Sequence, residues 1–105
     1  MLNDVWILED SKGKAFFVLD YLQIESLLVD LWKKRKGEDA TQYQGLFLFF
    51  DSSLNATFTK EEVEKNLLQL LELLEENQQE PLLQDRIKVA LKNLQDKETY
   101  RPLKT

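Results

Sequence analysis

Apolar residues in this chain follow two patterns, short dense runs and longer stripes spaced by three and four, and the alternation between them predicts its elements. Val5-Trp6-Ile7-Leu8 and Ala15-Phe16-Phe17-Val18-Leu19 are runs rich in aromatic and β-branched residues, and Asp10-Ser11-Lys12-Gly13-Lys14 between them is turn-forming. Together they predict a β-hairpin. Its strands are apolar at successive positions, which implies that both faces are covered, or that one is covered and the other meets something else. Asp20 can cap a helix from about Tyr21 to Lys36, with Ile24, Leu27, Leu28, Leu31 and Trp32 on one face and Gly37 as its stop. Glu38 to Gln44 is polar and reads as a connecting loop.

Gly45-Leu46-Phe47-Leu48-Phe49-Phe50 is a compact apolar run bounded by Gly45 and by Asp51-Ser52-Ser53, the pattern expected of a buried central strand. Ala56-Thr57-Phe58 adds a short return strand. Thr59 with Glu62 three residues on matches the capping box, and it opens a helix over about Lys60 to Asn77 carrying Val63, Leu67, Leu70 and Leu74. Pro81 suits the first turn of a third helix, in which Leu83, Ile87, Ala90 or Leu91, and Leu94 repeat the stripe. The short link makes the last two helices antiparallel neighbours. Thr99 to Thr105, with Pro102, has no period and reads as a tail that frays or lies extended.

The expectation is therefore an α+β fold: an N-terminal β-hairpin within a three- or four-stranded, mainly antiparallel sheet, packed with three helices of which the last two form an antiparallel hairpin. A single domain is expected over 1–98, with 99–105 as a C-terminal tail.

Composition narrows the chemistry. The 105 residues include no cysteine and no histidine, which removes thiolates, imidazole bases and the usual transition-metal ligands, so no cofactor and no catalysis are expected. Nothing at Met1-Leu2-Asn3-Asp4 reads as a signal, and the longest apolar stretch, Leu46 to Phe50, is too short to span a bilayer. No membrane partner and a cytoplasmic location are expected. The formal charge of −5 opposes a phosphate backbone, so no nucleic-acid partner is expected either. Lys33-Lys34-Arg35-Lys36 falls in the last turn of the first helix, where cations meet the helix dipole; a phosphate-binding patch is the sharper alternative.

The charge is uneven. Glu61, Glu62, Glu64, Glu72, Glu75, Glu76 and Glu80 stand against Lys65 alone, whereas Arg86, Lys88, Lys92, Lys97, Arg101 and Lys104 outnumber Asp96 and Glu98. An acidic helix face of this kind can steer a basic partner. The leading expectation is a small, acidic, non-catalytic protein-binding module, of the kind represented by bacterial inhibitors, immunity proteins and antitoxins, which masks a basic surface on another protein. Glu72, Glu75, Glu76 and Glu80 would make the contact, with Tyr43 at the rim. The alternative is a structural or assembly protein, such as a homodimer, that self-associates through leucines left over on its helices, among Leu68, Leu71, Leu73 and Leu82.

One twelve-residue stretch has a pattern of its own. Asp51-Ser52-Ser53-Leu54-Asn55-Ala56-Thr57-Phe58-Thr59-Lys60-Glu61-Glu62 resembles the calcium loop of EF-hand proteins, with oxygen-bearing side chains at the first, third, fifth and ninth positions, Phe58 at the eighth and Glu62 at the twelfth. The resemblance implies Asp51, Ser53, Asn55 and Glu62 as ligands of a weakly held calcium ion. Two features depart from the family: Ala56 stands where it has glycine, and only Asp51 and Glu62 bring carboxylate charge. The entering segment also reads as a strand where that family has a helix, and a strand-to-helix turn ending in a Thr59 cap accounts for the same residues. Carboxylate pairs such as Asp51 with Glu61 or Glu62, and Asp4 with Asp20, are the remaining route to a hydrolase.

Overall fold

The computed structural model describes residues 5–34, 44–51 and 55–104 of the chain. Strands β1 (Val5–Asp10) and β2 (Ala15–Asp20) form the expected hairpin, with Trp6 opposite Leu19 and Leu8 opposite Phe17. Its turn is closed by Asp10, whose Oδ1 accepts from the Lys12 and Lys14 amides at 2.9 and 3.0 Å while Gly13 takes φ 79°, a value that favours glycine. A register shift between Leu8 and Glu9 leaves Phe16 as an extra residue on β2, a bulge that bends the strand.

Burial alternates along β1, so one sheet face carries Trp6, Leu8, Phe17 and Leu19 inward and the other carries half-buried Val5 and Ile7. Of the two expectations for the dense runs, the second fits: one face is covered. On the other, Ile7 lies between Val18 and Leu103 in a row across three strands.

Helix α1 (Tyr21–Lys34) starts where Asp20 Oδ1 accepts from the Leu22 and Gln23 amides, at 3.0 and 3.4 Å, and it buries Ile24, Leu27 and Leu28. The expected end of this helix, with Arg35, Lys36 and the Gly37 stop, lies outside the described residues.

The run expected to be a buried central strand is instead helix α2 (Gln44–Phe50). Leu46, Phe49 and Phe50 are buried at helical spacing while Leu48 is exposed, so burial here is one-sided with the period of a helix. A dense apolar run of this length fits either element by composition, and packing decides it. Phe49 stacks edge-on against Trp6, Phe50 and Phe58, at centroid distances of 5.3, 5.1 and 5.2 Å. The Trp6 indole Nε1 at the heart of this cluster is buried with no hydrogen-bond partner among the described residues.

Strand β3 (Phe58–Thr59) is two residues long and overlaps the expected return strand at Phe58. It runs straight into helix α3 (Lys60–Glu76), where the capping box forms as expected: Thr59 Oγ1 accepts from the Glu62 amide and Glu62 Oε1 accepts from the Thr59 amide. Helix α4 (Pro81–Asn93) begins at Pro81 and packs antiparallel on α3. Val63, Leu67, Leu70 and Leu74 meet Leu83, Ile87, Ala90 and Leu94 in one core with the buried sheet face.

The segment expected as a tail is corrected as well. Thr99–Lys104 is β4, and the sheet order β2-β1-β4-β3 makes it an inner strand, antiparallel to both neighbours. Tyr100 and Pro102 point inward and Arg101 outward, the alternation of a half-buried strand. Pro102 is tolerated because β3 pairs only with Thr99 and Tyr100, which leaves one side of β4 beyond them without a strand neighbour among the described residues. The fold is thus α+β, with four antiparallel strands and four helices among the described residues, one helix more than expected. No helix among the described residues is long and apolar enough to cross a membrane.

Candidate functional site

The acidic residues of α3 reach the surface for a simple reason. Val63, Leu67, Leu70, Leu71, Leu73 and Leu74 occupy the inward side of the helix, so Glu72, Glu75 and Glu76 share the side left to solvent. Leu68, 43% exposed and one turn before Glu72, lies on the same side. Glu75 Oε2 stands 4.0 Å from Lys88 Nζ of α4, both half exposed, a separation at which an ion pair contributes little. Glu80 is apart from this group. It sits in the link to α4 with φ 54°, its side chain exposed and making no cap bond. Tyr43 lies outside the described residues.

Of the leucines considered for self-association, Leu71 and Leu73 are in the core, whereas Leu68 and Leu82 are exposed. Burial follows the wheel position of each residue, which counting leucines cannot reveal.

Around the EF-hand-like stretch, the element entering the loop is helix α2, so the strand expected there is corrected to a helix as that family has. Asp51 follows α2 and is exposed, Asn55 is exposed with φ 50°, and Ser53 lies outside the described residues. Glu62 holds the Thr59 amide at 3.0 Å. Among the described residues no cluster of three carboxylates suits a metal ion. Of the carboxylate pairs, Asp20 holds α1 amides and Asp4 is outside the described residues, while Glu61 and Glu62 are exposed in the first turn of α3.

Two further sites were not singled out from the sequence. A polar crevice of about 390 Å³ lies where the β1–β2 turn meets β4 and Thr57. Arg101 Nη2 donates to Glu9 Oε1 at 2.7 Å across it, and Glu98 Oε1 accepts from the Ser11 and Thr99 amides at 3.2 and 3.0 Å. Hydrogen bonding from Ser11, then from Thr99, holds the Glu98 carboxyl below the ordinary carboxylate range. The groups in this crevice bind one another.

The second site is a groove of about 450 Å³ between the edge strand β2 and helix α4, lined chiefly by Phe16, Val18, Asp85, Arg86, Val89 and Asn93. Arg86 is its central residue. It stands over the Phe17 ring at 5.4 Å and its Nη2 donates to the Val18 carbonyl oxygen, the main-chain acceptor of an edge strand. Val18 is 38% exposed and Val89 57% exposed, so two aliphatic side chains flank the cation in solvent. The successive apolar residues of Ala15–Leu19 were the available signal for this groove: Val18 belongs to the sheet face that the helices leave uncovered.

No protein-family model, no curated protein and no solved structure matches the chain.

Proposed function

We propose that this chain is a non-catalytic protein-binding module that docks the acidic side of α3 on a basic surface of another protein. The observation that carries the reading is the grouping of Glu72, Glu75 and Glu76 on one exposed side of a rigid, capped helix, with the exposed Leu68 beside them. Charges fixed on a helix present a steady negative field that speeds encounter with a cationic partner, and an adjacent aliphatic group adds contact area that water does not compete for. Glu80, one link further along, extends the same sign toward α4.

The non-catalytic part of the reading rests on how the carboxylates are used. Asp10, Asp20, Glu62 and Glu98 hold backbone amides, and Glu9 holds Arg101; they serve turns, caps and strand pairing. The net charge of −5 argues against a nucleic-acid partner and for a cationic protein, as an inhibitor, immunity protein or antitoxin in the cytoplasm would have.

The test is a comparative pull-down from the native host at low salt. Wild type and the E72K/E75K/E76K variant are immobilised in parallel and the retained proteins compared. A basic protein held by wild type, lost from the variant and lost again in high salt is the expected result. Equal retention by both, or retention indifferent to salt, would sink the reading.

A further inference from the structure

We infer that the β2 edge and the α4 groove beside it form a two-fold interface with a second copy of this chain. β2 is six residues long, its outer side has no strand neighbour among the described residues, and its sequence Ala15–Asp20 contains neither proline nor an internal charge. Natural edges are ordinarily blunted by such residues or by a bulge, and here the bulge at Phe16 bends only the start of the strand, leaving Phe17–Leu19 without either device. Here the described groups that meet the edge are those of Arg86, which binds the Val18 carbonyl oxygen. That carbonyl therefore points away from β1, and the Val18 amide, on the same side of the strand, points outward with it.

Charge selects the occupant. Asp85 and Arg86 lie side by side in the groove, of opposite sign, and neither has an ion-pair partner among the described residues. Arg86 is docked at Val18, next to the middle of the strand, so an antiparallel β2–β2 pairing about a two-fold axis at that point brings Asp85 of the second copy toward Arg86 of the first, and the reverse. A patch carrying both signs at the axis complements itself, which a patch of one sign cannot do. In the pair, Arg86 turns from the carbonyl to the carboxylate across the axis and the freed carbonyl accepts from the second strand. The exposed Val89 and, one turn before Arg86, the 78% exposed Leu82 lie on α4 to either side of the axis and are covered by side chains of the second copy.

This surface is separate from the acidic side of α3, so the two proposals stand or fall independently. Sedimentation velocity over a concentration series, run on wild type, D85K, R86E, V89E and an equimolar mixture of D85K with R86E, tests the interface. Wild type should dimerise as concentration rises. D85K and R86E should each weaken the dimer by roughly tenfold or more through like-charge contact at the axis, and the mixture should recover it because opposite signs meet again. Hydrogen exchange at the Val18 amide should slow as the dimer fills. V89E carries the test if R86E fails to fold, since Val89 is a solvent-facing helix position. A wild type that stays monomeric throughout would overturn the inference, as would a dimer that D85K and V89E leave unchanged; a monomer would leave the α3 proposal untouched.

Discussion

The two edges of the sheet are guarded in different ways. At the β3 edge the chain itself limits exposure, because the strand is two residues long and Thr59 becomes the cap of α3. Beyond it β4 carries Pro102, which has no amide hydrogen to offer. At the β2 edge a bulge at Phe16 bends only the start of a six-residue strand, and one side chain from another element, Arg86, holds the exposed carbonyl beyond it. The first guard is built into backbone geometry and cannot be released without disrupting a helix start. The second is a single hydrogen bond from a flexible cation, which a competing partner can take.

Breaking the two edges should therefore have unequal effects. The largest is expected beneath β3, where Phe49→Ala would leave a cavity among Trp6, Phe50 and Phe58 and lower stability by about 3 to 5 kcal/mol. Urea denaturation measures it, and a loss below about 1 kcal/mol would show that α2 does not support that edge. Thr59→Ala removes the hydroxyl half of the capping box and should cost about 1 kcal/mol by the same assay. Arg86→Gln should lower the stability of the single chain by less than about 1 kcal/mol, because its bond lies at an exposed edge. A larger loss would mean that Arg86 braces the fold and is no mere guard.

The smallest effect concerns Glu98, which ties the hairpin turn to β4 through Ser11. Its carboxyl is held below the ordinary range in the folded chain, so its contribution is present above the unfolded value and is lost as pH falls through the folded one. Glu98→Gln should lower stability slightly at neutral and alkaline pH, where that contribution is fully present, and should flatten part of the decline as pH falls through the folded value. Thermal melts at stepped pH give the comparison, and identical acid limbs for the two proteins would count against the assignment.

How far the fold is legible depends on whether local chemistry or distant packing makes the decision. The hairpin turn, the Asp20 and Thr59 caps, the Pro81 start and the stripes of α1, α3 and α4 are local, and all read directly from residue type and spacing. Gly45–Phe50 did not, since the choice between strand and helix rests on Trp6 and Phe58, far away in sequence. Thr99–Lys104 failed for a related reason: Pro102 reads as a breaker until the side of β4 without a partner is known. For the candidate sites, the exposed acidic side of α3 was legible because helical spacing alone separates Glu72, Glu75 and Glu76 from the leucines. The β2 groove was not, because Arg86 and Val18 are 68 residues apart and nothing local connects them.

The pairing of β1 with β4 sets Trp6 opposite Lys104, so the first and last described strands lie alongside each other at the middle of the sheet. Glu9 and Arg101, 92 residues apart, meet only after nearly the whole chain has been gathered, and closing so large a loop slows folding. A circular permutant that joins Lys104 to Val5 through a short flexible turn and opens the chain between α3 and α4 would convert this distant pairing into a hairpin. It should reach the folded state faster than the parent while unfolding at a similar rate.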